Sequence, residues 1–244
     1  MAEKKWFEEW FDSPYYHLLY SHRSENEAER FIEKISTQLN IPKGAKVLDV
    51  ACGKGRHAKT LYKLGYDVTG IDLSPNSIAE ARKCIVPGLF FEVWDMRKIY
   101  KPAAFDYVFN LFSSFGYFEN AEDDLKAVQA FAGNLKPGGT LIFDYINTEW
   151  LVKNIKAREI VPRGETQFHI QKRIEGGFIK KRIDFLAEGE NYSFEEQLKL
   201  INLNRFEEMF AAAGLEIIAK FGDYELGSFI SSQSPRLILI ARKT

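Results

Sequence analysis

The spacing of apolar positions divides the chain into three regimes. From Lys4 to Gln38 they recur at helical spacing, in two pieces broken at Asp12-Ser13-Pro14, where Ser13 can cap the second piece and Pro14 can take its first position. A further helix is predicted over about Asn26–Leu39, stopping before Pro42. Between Lys46 and Asp144 short apolar runs alternate with helical stretches. Strands are predicted over Val47–Val50, Asp67–Ile71, Leu89–Val93, Phe105–Asn110 and Thr140–Asp144. Helices are predicted over about Arg56–Leu64, after Ser74-Pro75, and over Glu122–Leu135. The near-continuous apolar run FDYVFN suits a central parallel strand, which is buried on both faces.

Beyond residue 150 the period drops to two. Phe168, Ile170 and Ile174 share one face of a strand over Gln167–Ile174; Ile179, Ile183 and Phe185 share one face of a strand over Phe178–Leu186. Glu175-Gly176-Gly177 between them reads as a hairpin turn. Phe194, Leu198 and Leu200 alternate along a third strand, Tyr192–Ile201. A helix over Leu203–Ala213, capped by Gly214, then leads to a closing antiparallel pair, Leu215–Phe221 and Leu237–Ala241. The expected fold is therefore α/β: a doubly wound, mostly parallel seven-stranded sheet with a terminal antiparallel hairpin and an inserted antiparallel β-sheet. It divides into a helical segment over 1–40, a main domain over 41–150 and 202–244, and the insertion over 151–201.

Composition narrows the class. Hydrophobic residues make up 45% of the chain, so a sizeable core can form, and the net charge of −1 argues against a general nucleic-acid binder. The charge is uneven: Leu151–Leu186 holds nine Lys/Arg against four Asp/Glu, either a solvated outer sheet face or a binding surface. No apolar run approaches the roughly 20 residues of a membrane span, and the charged, aromatic N-terminus has no signal-peptide core. Two cysteines, Cys52 and Cys84, lack metal or disulfide spacing, so a reduced, cytoplasmic protein without a metal is expected.

The chemistry concentrates at the first strand-to-helix turn. Gly53 and Gly55 let the backbone approach a ligand closely, and the helix start offers free N–H groups. Gly53-Lys54-Gly55-Arg56-His57-Ala58 also satisfies the loose dinucleotide pattern. Asp49 discriminates. A carboxylate at the tip of the first strand would repel a pyrophosphate and suits a cofactor with positive charge, such as the ammonium and sulfonium of S-adenosylmethionine. Asp72, ending the second strand with Leu73 beside it, is placed to accept from ribose hydroxyls. Asp144-Tyr145-Ile146-Asn147 opens on the same rim, which places an acceptor near Tyr145 and Asn147. Tyr16, Leu19, Tyr20 and Arg23 share a helix face, whereas Trp6, Phe7, Trp10 and Phe11 read as packing residues.

The run DVACGKG, the later Asp72, and Leu135-Lys136-Pro137-Gly138-Gly139 resemble class I S-adenosylmethionine-dependent methyltransferases, with Ala51 in place of the usual first glycine. The likeness is strong over about residues 30–150. YYHLLYSHR and Asn110-Leu111-Phe112-Ser113-Ser114-Phe115-Gly116-Tyr117-Phe118 are similar to the glycine and nucleotide-aminosugar N-methyltransferases. That resemblance implies a lid in which Tyr16 and Tyr20, with Arg23, close over the methionine half of the cofactor. It also implies that Asp95 accepts from the adenine amino group while Met96 packs on the ring, and that Asn110 and Leu111 lie beside the transferring methyl group. Ser114, Phe115 and Tyr117 would face the acceptor, and the insertion would cover the acceptor pocket or form a dimer contact, leaving a monomer or a homodimer.

The expected activity is transfer of a methyl group from S-adenosylmethionine to N or O of a small polar metabolite by in-line displacement, with catalytic candidates Tyr16, Asn110, Tyr117 and Tyr145. Alignment and exclusion of water carry most of such a reaction, so no triad is needed. His57, on the first turn of the glycine-loop helix, reads as a packing or cofactor-proximal residue, and His169 and Asp144 are candidates for a general base. Asn110-Leu111-Phe112-Ser113 stands where base-amine methyltransferases carry an N-P-P-[YF] tetrapeptide, which argues against that group. The alternatives are an RNA or protein methyltransferase docking through the basic insertion, and a non-catalytic S-adenosylmethionine-binding protein.

Overall fold

A computed structural model describes residues 10–20 and 25–244. In chain order its strands are β1 (Lys46–Val50), β2 (Asp67–Asp72), β3 (Leu89–Val93), β4 (Phe105–Asn110), β5 (Leu135–Ile146), β6 (Arg158–Arg163), β7 (Thr166–Glu175), β8 (Phe178–Ala187), β9 (Glu190–Lys199), β10 (Leu215–Phe221) and β11 (Arg236–Lys243). The helices are α1 (Pro14–Leu19), α2 (Glu25–Gln38), α3 (Arg56–Lys63), α4 (Pro75–Arg82), α5 (Ala121–Asn134), α6 (Thr148–Asn154) and α7 (Leu203–Ala212). Seven strands form the main sheet in the order β10-β11-β5-β4-β1-β2-β3, and β6 to β9 form a separate sheet in chain order. Strands β1 to β5 run parallel, while β11 is antiparallel to both β5 and β10. This is the doubly wound sheet with a terminal antiparallel pair that the pattern predicts.

Burial follows the strand period. Leu48, Val108, Leu141 and Phe143 face one side, against Phe131 of α5 and Phe206 and Phe210 of α7. Their sequence neighbours Val47, Phe109 and Ile142 face the other, against Phe31 and Ile35 of α2, Leu61 of α3 and Ile78 of α4. Helix starts are set by short polar side chains: Ser13 accepts from Tyr15 N–H, Ser74 from Ser77 N–H, and Asn120 from Asp123 N–H. A third core lies under the inserted sheet, where Trp10 and Leu19 pack with Phe168, Ile170, Ile183 and Phe185. Trp10 is 1% exposed and stands 4.5 Å from the Phe194 ring, a burial contributing on the order of 2–3 kcal/mol. Trp10 and Phe11 do pack, as expected, but on the inserted sheet and the cavity beside it rather than on the main sheet. Trp6, Phe7 and Arg23 lie outside the described residues.

The insertion is larger than its alternation suggests. Helix α6, capped by Asn147, and strand β6 precede the three expected strands. Strand β6 carries Pro162, which cannot donate to a ladder and is tolerated because β6 is an edge. Strand β5 begins at Leu135 rather than Thr140, because Leu135 already pairs with Phe105 before a register shift. The hairpin turn is as expected, with Gly176 and Gly177 both left-handed.

Candidate functional site

The loop after β1 bends through three left-handed residues, Ala51 (φ 58°), Gly53 (φ 53°) and Gly55 (φ 78°). Ala51 holds this conformation without a glycine's freedom. Gly55 is needed twice over: it is the N-cap of α3, and a Cβ there would stand 2.6 Å from the Phe91 ring. Gly55, having no side chain, supplies no cap acceptor to the start of α3.

Two acids back this loop. Asp72 accepts from Gly53 N–H and Ser74 N–H, each at 2.8 Å, tying the glycine turn to the tip of β2. Asp49 is 1% exposed, and its Oδ2 has no hydrogen-bond partner. Burial, then the nearby Asp72 carboxylate, push the Asp49 pKa up to about 8, against the pull of Ala58 N–H and Arg56. Burial also raises Asp72, opposed by the Ser74 and Gly53 amides. An orphaned buried carboxylate oxygen beside a glycine cradle fits a cationic cofactor, and the neighbouring acids would both gain from its charge. Leu73 is exposed next to Asp72.

Further along the rim, Asp95 is not open. Its carboxylate takes three hydrogen bonds from the Arg97 guanidinium, which also reaches Asp123 at 2.8 Å and lies over the Phe118 ring. Burial would raise the Asp95 pKa, but the Arg97 hydrogen bonds outweigh it and hold it below the usual range. Met96 packs against the main core.

The tip of β4 is a fold-back. Phe112 (φ 56°) and Ser113 (φ 59°) are consecutive left-handed residues, a conformation that persists only where the surroundings impose it. Asp144 imposes it: its Oδ2 accepts from Phe112 N–H at 2.8 Å and its carbonyl accepts from Ser113 N–H at 3.0 Å. Asp144 is in turn held by Arg236, 2.6 Å away, and by the Tyr224 hydroxyl at 3.2 Å. Arg236 also donates to Ser113 Oγ. Asp144, fully buried and so engaged, is a support for the loop and not a general base. Asn110 is buried, donates to the Val50 and Ser114 carbonyls, and keeps an unpartnered Oδ1. Leu111 is buried against the α2 and α3 side of the sheet. The Tyr117 hydroxyl donates to the Ser113 carbonyl at 2.7 Å.

A cavity of about 740 Å³ lies between this rim, helix α1 and the inserted sheet. Tyr16, Tyr20, Ala51, Gly53, Ser114 and Tyr117 are on its wall, so the structure brings Tyr16 and Tyr20, the glycine loop and the segment after β4 together. Tyr145 is not there. It is fully buried beside Phe143 and Phe206, with its hydroxyl donated to the Lys199 carbonyl, because its position on β5 alternates with the rim-facing Asp144. The expectation of Tyr145 at the reacting centre is corrected accordingly. Asn147 likewise serves structure, donating to the Ser231 and Ser234 carbonyls, and Phe115 is a core residue. His169 is exposed on the outer face of β7, away from the cavity, which removes it as a base. His57 stacks on Phe112 at 4.8 Å, as a packing residue of the cavity wall. His17, on the same wall, has its pKa lowered to about 4, first by burial and then by Lys54, so it is neutral at physiological pH.

Sequence reasoning missed the far wall. Glu159, Lys172, Lys181 and Glu196 line the cavity from the inserted sheet, and Tyr224 and Arg236 line it from the β10–β11 connection and β11. The basic excess of the insertion left a solvated face and a binding surface both open; Lys172 and Lys181 point inward. The available signal was the missing apolar residue in each run: the spacing jumps from Ile170 to Ile174, from Ile179 to Ile183, and from Phe194 to Leu198. For Tyr224 and Arg236 no comparable signal existed. No helix among the described residues is long and apolar enough to cross a membrane.

The chain is similar to known methyltransferases. The methyltransferase domain family matches residues 20–220. A dTDP-3-amino-3,4,6-trideoxy-alpha-D-glucopyranose N,N-dimethyltransferase of Streptomyces venezuelae is 29% identical over 184 residues, covering 72% of this chain and 77% of that one. A glycine/sarcosine N-methyltransferase of Parasynechococcus marenigrum is 30% identical over 216 residues, covering 83% of this chain and 73% of the other. Among solved structures, a SAM-bound amino pentose methyltransferase from Micromonospora echinaspora superposes with a TM-score of 0.72 at 23% identity, over 100% of both chains.

Proposed function

The chain belongs to the methyltransferase domain family and is an S-adenosylmethionine-dependent methyltransferase, and we propose that its acceptor is an amine nitrogen of a small polar metabolite held in the cavity. The observation that carries this reading is the cavity of about 740 Å³ between the rim, helix α1 and the inserted sheet, the size of a small ligand rather than a groove for a polymer. The curated relatives above act on the nitrogen of an aminosugar and of an amino acid, which supports nitrogen over oxygen.

S-adenosylmethionine, when bound, supplies an electrophilic methyl group on a sulfonium. We assign its binding to Ala51, Gly53, Gly55, Asp49, Asp72, Leu73, Asp95 and Met96, with Asn110 and Leu111 behind the rim. Asp49 meets positive charge, and Asp72 keeps the glycine turn in place while accepting from hydroxyls. Arg97 fixes the direction of Asp95. Tyr16 and Tyr20 exclude water from above. Tyr117, on the cavity wall with its hydroxyl donated to the Ser113 carbonyl, faces the acceptor and helps orient it. A neutral amine already holds the electron pair it needs, so orientation and desolvation are the main tasks of the chain's residues. Residues 151–201 act as an acceptor cover, and with two free cysteines we place the protein in the cytoplasm.

The test is release of S-adenosylhomocysteine by the purified protein offered small primary and secondary amines, phenols, short peptides and RNA in parallel. Turnover confined to amines supports the reading. Turnover confined to peptide, RNA or phenol, or none with any acceptor, overturns it.

A further inference from the structure

Residues 10–20 join two parts of the protein. By burial they belong to the inserted sheet: Trp10 and Leu19 are part of its core, and the Leu19 carbonyl accepts from Arg163 of β6. Toward the main domain, the Phe11 ring stands 5.1 Å from Tyr117. Asp12 makes the stronger attachment. Its Oδ1 accepts from the Ser74 hydroxyl and its Oδ2 from the Asn76 side-chain amide, both at the start of α4. Phe11, Tyr16 and His17 of this segment line the same cavity as Ala51, Gly53 and Lys54 of the glycine turn. The segment is therefore fastened across the cleft, and Asp12 is the fastening.

Ser74 is where two acids meet. Its hydroxyl donates to Asp12, while its backbone N–H donates to Asp72 Oδ1 at 2.8 Å. One small residue thus brings together carboxylates that lie 60 positions apart in the chain. Burial raises the Asp72 pKa first, and the Asp12 charge adds to it. Behind the glycine turn, Asp49 keeps its buried Oδ2 without a partner. Fastening the segment over an empty cleft therefore gathers like charges, which is unfavourable. His17 is neutral and does not offset them, and Lys54 is exposed, so water and salt screen it. A neutral asparagine at position 12 could accept from Ser74 without this repulsion. The hydrogen bond alone does not call for an acid.

We propose that Asp12 is a charge-sensing latch that makes the protein prefer the cationic methyl donor to the spent cofactor. This rests on the assignment of the glycine turn, Asp49 and Asp72 to the cofactor. Positive charge in the cleft compensates the converging carboxylates, so the bonds from Asp12 to Ser74 and Asn76 hold more firmly. On transfer the S–CH3 bond breaks and the N–CH3 bond forms. The positive charge passes from sulfur to nitrogen, and the methylated amine gives up a proton to water. A neutral thioether is left behind. Once the methylated amine has gone, repulsion between Asp12 and Asp72 returns, and the segment loosens at the stage when S-adenosylhomocysteine has to leave.

The experiment is calorimetric binding of two stable cofactor analogues. S-adenosylhomocysteine is neutral at sulfur; sinefungin carries an ammonium-bearing carbon in place of the sulfonium. The native protein should prefer sinefungin. Asp12→Asn, which keeps the shape and removes the charge, should reduce that preference by about threefold or more, with the loss falling on sinefungin. Asn76→Ala, at an exposed position, loosens the latch and should reduce it by a smaller factor. Retained S-adenosylhomocysteine binding shows that a variant is folded, and if Asp12→Asn folds poorly, Asn76→Ala decides. A preference unchanged in the variants, or an equal loss for both analogues, overturns the latch. A native protein that binds neither analogue sinks the cofactor assignment; one that binds both, with a preference indifferent to Asp12, sinks this inference alone.

Discussion

The Tyr145 hydroxyl donates to the Lys199 carbonyl at 2.7 Å, and Lys199 N–H donates to the Gly116 carbonyl at 2.8 Å. Two hydrogen bonds thereby connect the last parallel strand of the main sheet, the end of the inserted sheet and the loop that follows β4. Lys199 also pairs with the buried Asp124 of α5. The inserted sheet is anchored to the main sheet at this joint.

Gly116 is the tightest point of the joint. Its φ of +81° disfavours a side chain, and an added Cβ would overlap the Tyr145 hydroxyl. Gly116→Ala should cost about 2–4 kcal/mol and Tyr145→Phe about 1 kcal/mol. The double variant should lose less than the sum, since removing the hydroxyl relieves part of the overlap. Urea denaturation of the three proteins measures this, and simple additivity would contradict it.

Asp72 holds both the Gly53 and the Ser74 amides. Asp72→Ala should weaken S-adenosylhomocysteine binding by more than about tenfold, equivalent to about 1.5–3 kcal/mol. Unchanged affinity by calorimetry would refute its placement in the cofactor site.

Asp49 makes stability depend on pH with a defined sign. Its folded pKa of about 8 lies above the ordinary 3.8, so the folded protein binds this proton more tightly than the unfolded chain does. The resulting stability is complete below about pH 4 and is lost as pH rises toward 8. Asp49→Asn keeps the shape without the charge, so its Tm relative to the native protein should rise steadily between pH 5 and about pH 8.5. A Tm difference that stays constant would mean that Asp49 is ionised throughout. In the same window, S-adenosylmethionine should displace the proton, giving a binding heat that varies with the ionisation enthalpy of the buffer.

Removing Arg236 leaves the fully buried Asp144 with no cation. Arg236→Met should destabilise the protein by about 3–5 kcal/mol, and adding Asp144→Asn should recover part of the loss. Thermal unfolding decides it: an Arg236→Met protein as stable as the native one would show that the pair is not needed to hold the Phe112-Ser113 fold-back.

The centre of the main sheet was legible because strands such as β1 and β2 are buried on both faces, and apolar runs such as VLDV and VTGI reflect this. The glycine turn and its two acids were legible because each sits at a strand tip, where position alone says which rim it joins. Tyr145 was misread for the complementary reason: one residue along a strand reverses the face, and proximity in sequence to Asp144 said nothing about direction. Strand β6 was hidden by Pro162 and by its edge position, which relaxes the alternation. The charged row at Lys172, Lys181 and Glu196 was visible only as gaps in three patterns, and recognising those gaps as one line needs the register between strands. Arg236 and Tyr224 lie far in sequence from the residues they hold, and no local pattern could have joined them to Asp144.

The seat of Trp10 has a consequence for folding. Its indole N–H donates to Glu196, 186 residues downstream, and its ring lies against Phe194. Its other core partners on the inserted sheet, Phe168, Ile170, Ile183 and Phe185, are also distant in sequence. Contacts that close so long a loop carry a high entropic cost, so the main sheet should assemble before this segment docks on the inserted sheet.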